Sequence, residues 1–186
     1  DPAIPVVLVS GGSQGAHTIN SAMMDTVQQF GAGEIQFIWM TGNADVADAR
    51  AAVEKAPARV DVFPFIDDMV TACAAADLVL SRAGASSTAE IAMLGKPSIL
   101  IPYPHATDNH QEQNGRAFEE AGAAVMMTDE TCSGESLASQ IRMLINDPAR
   151  LWKMGKAASA LARPGAAETI VEEILLLAFS RGDQTE

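Results

Sequence analysis

Basic residues are scarce in this 186-residue chain: twelve Lys and Arg stand against twenty-four Asp and Glu, a formal net charge of −12. That balance argues against nucleic acid and anionic membrane surfaces as partners of this segment. The first basic residue is Arg50. Any anion held upstream of it would have to rest on backbone N–H groups. Cysteine is equally sparse. Cys73 and Cys132 have neither CxxC nor Cys/His spacing, which argues against a zinc site and a disulfide framework and predicts free thiols in a reducing cytosol. His17, His105 and His110 lack metal-ligand spacing and no Asp-x-Asp occurs, so no obligatory metal site is expected. Apolar runs such as Val6 to Val9 and Ile99 to Ile101 are too short to span a bilayer, and no signal peptide is visible.

What is present is a globular composition, with 48% hydrophobic and 19% charged residues, sized for one domain over 1–186. The opening Asp1-Pro2, followed at once by an apolar run, is expected to be a cut in a linker with something missing upstream. Strand-like runs at Val6–Ser10, Gln36–Thr41, Val60–Phe63, Leu78–Ser81, Ser98–Ile101 and Ala124–Met127 alternate with helical stretches. The helices are expected at His17–Phe30, Ala44–Lys55, Asp67–Ala76, Ser87–Leu94 and Asn109–Ala121. Repeated βα units with continuous apolar runs predict a doubly wound, six-stranded parallel, Rossmann-like sheet covered on both faces. Three helical segments follow, near Glu135–Asn146, Pro148–Ala162 and Ala166–Ser180. The last carries an apolar surface too broad for a single stripe. It either tucks into its own domain or packs against an absent one.

The first strand runs into Ser10-Gly11-Gly12-Ser13-Gln14-Gly15-Ala16 and then a helix, where a doubly wound sheet holds phosphates. The same glycines also suit a tight turn needing them only for conformation. The turn matches neither GxxxxGK[ST] nor GxGxxG, and no carboxylate ends the second strand, which disfavours a P-loop NTPase and a nicotinamide dehydrogenase. No GxSxG elbow supports a Ser-His-Asp hydrolase. Ser87 and Glu90, like Asp108 and Gln111, have capping-box spacing. Glu90 either reaches back to the Ser87 amide or accepts hydrogen bonds from a ribose diol while the Gly84 to Ser87 amides face a diphosphate. Gln111 and Asn114 share a helix face, which is either a solvated polar face or a pair of amides suited to sugar hydroxyls.

The glycine turn, Phe65-Ile66-Asp67-Asp68-Met69, Ser81-Arg82-Ala83-Gly84-Ala85, Glu90-Ile91-Ala92, Gly95-Lys96-Pro97 and Asp108 to Asn114 occur in the order seen in the MurG family. Nearly the whole chain resembles that family's C-terminal, donor-binding domain, one half of a GT-B glycosyltransferase. The resemblance implies that Ser13, Gln14 and Gly15 lie at the diphosphate of UDP-N-acetylglucosamine, together with Ala85, Ser86 and Ser87. It implies that the Ile66 backbone meets uracil and that Glu90 holds the ribose. His110 and Gln111 would read the sugar, with Arg82 and Asn114 as supporting or sugar-side residues. Arg82 is open to a purely structural ion-pair role as well.

The family resemblance further implies an inverting hexosyltransferase that adds N-acetylglucosamine to undecaprenyl-diphospho-N-acetylmuramyl-pentapeptide in peptidoglycan synthesis. UDP-N-acetylglucosamine is the donor substrate and no cofactor is expected. The general base, the lipid-linked acceptor site and the membrane-docking surface belong to the family's N-terminal domain, which has no counterpart here. The chain is therefore expected to bind donor, to be inactive alone and to insert into no membrane itself. The full-length protein is expected in the cytoplasm, peripheral on the inner face of the membrane. The rivals are a soluble donor-binding subunit of a two-chain glycosyltransferase and a UDP-sugar 2-epimerase-like domain.

Overall fold

A computed structural model describes residues 3–12 and 14–180. Six parallel strands form one sheet: β1 (Val6–Ser10), β2 (Gln36–Met40), β3 (Arg59–Phe63), β4 (Leu78–Ser81), β5 (Ser98–Leu100) and β6 (Ala124–Met126). They lie in the order β3-β2-β1-β4-β5-β6. Val7 pairs with Phe37 on one side and with Leu78 on the other, so β1 is central. The run Val7-Leu8-Val9 is wholly buried, as a strand covered on both faces requires. At the edge, β3 alternates exposed and half-buried residues.

The helices are α1 (His17–Thr26), α2 (Val46–Val53), α3 (Met69–Ala75), α4 (Ala85–Met93), α5 (His110–Glu120), α6 (Gly134–Ile145), α7 (Pro148–Ala160) and α8 (Ala166–Ser180). One core packs Val7 and Val9 against Ile19 and Met23 of α1 and Leu137 and Ile141 of α6. The other packs Leu8 and Val79 against Cys73 of α3, Ile91 and Ala92 of α4 and Phe118 of α5. Alternate side chains of β1 therefore feed opposite cores, and the chain changes face between β1 and β4. Asp147 caps α7, accepting from the Arg150 N–H at 2.9 Å with Pro148 at the first helical position, where a missing N–H costs nothing.

Two expectations are corrected. The helix after β4 begins at Ala85 with Gly84 as N-cap, so Ser87 lies inside the first turn and forms no capping box with Glu90. Asp108 and Asn109 adopt left-handed φ values of 51° and 53°, and α5 starts at His110 with no side-chain cap. The capping box expected at Asp108 and Gln111 is thus also missing. Two placements were open for α8: its described side chains are all exposed, and Ile170, Val171, Ile174, Leu175 and Leu176 are 49–65% exposed. It does not tuck into its own domain.

Candidate functional site at the carboxyl edge of the sheet

β1 and β4 are neighbours whose following helices lie on opposite faces, and such a switch point opens a crevice beyond the strand ends. The glycine turn closes one side. Gly12 and Gly15 have φ of 89° and 79°, a region costly for residues with a Cβ, and the Gly15 N–H donates to the Gly12 carbonyl at 2.9 Å. A Cβ on Gly11 would stand 2.4 Å from the Ala16 nitrogen. Close backbone approach therefore explains Gly11, and left-handed φ explains Gly15. A Cβ on Gly12 would meet nothing within 4 Å, and this backbone borders open space. Ser13 lies outside the described residues, Gln14 is exposed and Gly15 is half-buried.

Two helices begin here without side-chain caps. Ala16 precedes α1 and Gly84 precedes α4, and neither end has a side-chain cap hydrogen bond. The first-turn amides of Ala85, Ser86 and Ser87 have no intrahelical acceptor, and the positive end of the helix favours an anion.

Between the β3–α3 loop and α4 lies a cavity of about 320 Å³, within the range of small-molecule sites. Its apolar floor includes Leu8, Met40, Met69, Val79 and Ile91, and its rim includes Gly12, Phe65, Ile66, Ser86, Ser87 and Glu90. The loop before α3 is held by Asp68, which accepts from the Thr71 N–H at 2.9 Å and the Thr71 hydroxyl at 2.6 Å. Those two bonds hold its carboxyl below the ordinary range. Cys73 also lines the cavity, and burial raises its thiol pKa.

The remaining candidates lie outside this cavity's lining. Gln111 accepts from the Tyr103 N–H at 3.0 Å, and Asn114 donates to the Ala83 carbonyl at 3.0 Å. Their shared face thus ties α5 to the segments leaving β5 and β4. His110 Nδ1 lies 2.8 Å from the Thr107 carbonyl, and its ring is exposed. Arg82 is buried, pairing with Asp129 and donating to the carbonyls of Ile101 and Pro102, both at 3.2 Å.

So the structure gathers Ile66, Ser86, Ser87 and Glu90 around one cavity with Gly12, and sets His110, Gln111 and Asn114 apart on α5. Sequence reasoning missed the floor residues Met40 and Met69, whose role depends on which strand ends meet. It also missed Asp129, which sits in an ordinary polar loop; no local motif marks it. Among the described residues no group of three or more His, Cys, Asp or Glu side chains converges as metal ligands do.

Strand order, switch point and uncapped helix starts define a doubly wound, Rossmann-like domain with an anion-binding crevice. Residues 6–170 match the model of the glycosyltransferase family 28 C-terminal domain, and the chain belongs to that family. It is similar to the UDP-N-acetylglucosamine--N-acetylmuramyl-(pentapeptide) pyrophosphoryl-undecaprenol N-acetylglucosamine transferase of Geobacter sulfurreducens, 44% identical over 91% of this chain and 47% of the relative. The enzyme of the same name from Chlorobaculum tepidum is 43% identical over 97% of this chain and 49% of its own length. The chain thus spans about half the length of the curated relatives it matches. The crystal structure of Acinetobacter baumannii MurG superposes with a TM-score of 0.85 at 30% identity, over 92% of this chain and 50% of that one. A UDP-N-acetylglucosamine 2-epimerase superposes with a TM-score of 0.62 at 20% identity, covering 99% of this chain and 45% of that one, a likeness of fold alone.

Proposed function

We propose that this domain binds UDP-N-acetylglucosamine as the donor half of an inverting glycosyltransferase. The complete enzyme would add N-acetylglucosamine to undecaprenyl-diphospho-N-acetylmuramyl-pentapeptide in peptidoglycan synthesis. The observation that carries this reading is the single cavity that gathers Ile66, Glu90, Ser86, Ser87 and Gly12 beside an uncapped helix start. Uracil sits against the β3–α3 loop, with its polar edge on the Ile66 backbone. Glu90 accepts hydrogen bonds from the ribose hydroxyls, as an ionised carboxylate does. The diphosphate lies between the glycine turn, with Ser13, Gln14 and Gly15, and the amides of Ala85, Ser86 and Ser87. The sugar extends toward His110, Gln111 and Asn114.

In transfer, the acceptor 4-hydroxyl attacks the anomeric carbon of the donor from the face opposite the diphosphate. The glycosidic bond to UDP breaks as the new one forms, and the configuration inverts. Charge grows on the departing diphosphate, and helix-start amides aimed at it stabilise that state more than the ground state. A general base must take the hydroxyl proton, and we assign it to an acceptor domain outside this chain. Without that domain the reactants are not held together, a contribution worth up to about 7–11 kcal/mol of barrier, so the chain alone binds donor without transferring. We place the full-length protein in the cytoplasm, peripheral on the inner membrane face through that other domain. The exposed apolar surface of α8 packs against it, since isolated amphipathic helices gain little without a partner.

Calorimetry with UDP, UDP-N-acetylglucosamine and UDP-glucose tests the reading. Binding of the first two with weaker binding of UDP-glucose is expected. A folded chain that binds no uridine nucleotide overturns it.

A further inference from the structure

Asp129 lies in the loop between β6 and α6, 111 residues from Thr18 and 47 from Arg82, yet it joins both. Its Oδ2 accepts from the Thr18 hydroxyl at 3.0 Å and from Arg82 Nη2 at 3.1 Å, and its Oδ1 accepts from Arg82 Nη1. Thr18 stands in the first turn of α1, directly after the glycine turn. Arg82 stands at the exit of β4, three residues before α4 begins. One carboxylate thus connects the starts of two helices that lie on opposite faces of the sheet.

Arg82 carries the connection onward. Its Nη1 also holds the Ile101 and Pro102 carbonyls at the exit of β5, and its guanidinium carbon lies 5.5 Å from the centre of the Tyr103 ring. The Tyr103 N–H in turn donates to Gln111. The Arg82 charge is matched by Asp129 and its Nη1 is committed to two backbone carbonyls, so the guanidinium acts as a bracket between loops.

We infer that Asp129 is a positioning residue for the donor diphosphate: by holding Thr18 and Arg82 together it sets the spacing between the glycine turn and the start of α4. The inference rests on the proposed donor site. It assigns no contact between Asp129 and the donor itself. It makes the gap between the two sets of helix-start amides depend on a loop at one edge of the sheet, after β6. Uridine is held in part by the β3–α3 loop, which Asp129 does not touch, so the larger loss falls on UDP, whose diphosphate spans both sides of the gap.

The test compares UDP with uridine by calorimetry in the parent chain, Asp129→Asn and Thr18→Val, and adds amide hydrogen exchange at Asn20 and Ile101. Those two amides are protected by the carbonyls of Ala16 and Ser81, one on each side of the bracket. Asp129→Asn is expected to weaken UDP about tenfold, the scale of a lost charge-assisted hydrogen bond, with a smaller loss for uridine. Exchange at both amides should accelerate together. Unchanged UDP affinity, an equal loss of uridine affinity, or acceleration at only one amide overturns the inference. If Asp129→Asn does not fold, Thr18→Val decides: a loss of about threefold for UDP, with a smaller loss for uridine, supports it, and any other result overturns it. A parent chain that binds neither ligand refutes the proposed donor site, and the exchange measurement then decides by itself whether the bracket exists.

Discussion

A Cβ built on Gly15 would stand 2.1 Å from the carbonyl oxygen of Thr41, so the glycine turn is packed directly onto the exit of β2. Gly42 answers from the other side, where a Cβ would approach the Gln14 carbonyl to 2.5 Å. Both have positive φ. Gly15→Ala therefore combines backbone strain with an overlap that only a backbone shift can relieve, and we expect a loss of roughly 3 kcal/mol or more in urea unfolding. Gly12→Ala has open space and should cost only about 1 kcal/mol, from φ alone. The added methyl should nevertheless weaken UDP binding, because Gly12 borders the cavity.

Glu90 is free of the capping role that its spacing suggested, and it lines the cavity. If it holds the ribose, the parent chain prefers UDP to 2′-deoxy-UDP. Glu90→Ala should erase that preference and weaken UDP about tenfold or more, as loss of hydrogen bonds to a charged acceptor does. Affinity for 2′-deoxy-UDP should change much less. Competition calorimetry reads both quantities, and a preference that survives in the variant removes Glu90 from the ribose.

Because α8 buries none of its described side chains, deleting residues 166–186 should leave the thermal midpoint within about 2 °C of the parent, since a 1 kcal/mol change shifts a domain of this size by roughly 2–4 °C. The deletion should also reduce concentration-dependent association in sedimentation, because a broad exposed apolar surface is a self-association site. A large fall in midpoint would show that α8 contributes to this domain's core.

Burial, with the negative charge of Asp129 second, pushes the Cys132 thiol up from 9.0 to about 11. The folded state thus holds this proton more tightly than the unfolded one. The stabilisation is complete below pH 9 and is lost as pH rises toward 11. We expect the urea midpoint of the parent to fall between pH 8 and pH 10.5, and that of Cys132→Ala to fall less. Alkylation of native Cys132 at pH 8 should be slow relative to the unfolded chain, because the thiolate is the nucleophile. An equal alkaline slope in both proteins would remove Cys132 from the effect.

Much of the fold is legible in the sequence because fully buried parallel strands leave continuous apolar runs. Leu78-Val79-Leu80 and Ile99-Leu100-Ile101 needed no further information, and the strand ends moved by only a residue or so. Helix starts were harder. Ser87 and Glu90 have the spacing of a capping box, but Gly84 lets the chain turn earlier, and the helix is already formed when it reaches Ser87. Asp108 and Asn109 look like a cap, yet their left-handed backbone reflects the path of the whole β5–α5 loop.

The sequence by itself determined the repeated βα pattern, the buried sheet, the strand–glycine turn–helix unit without a lysine, and the family, because each is written in neighbouring residues or in their order. Only the tertiary structure decided that Arg82 is neutralised by Asp129, that Gln111 and Asn114 each bond a backbone group, and that α8 stands clear of the core. Those outcomes depend on bonds between residues 8 to 47 apart and on which faces the sheet leaves uncovered. Local periodicity reports that a face is apolar or polar; it does not report what the completed fold places against it.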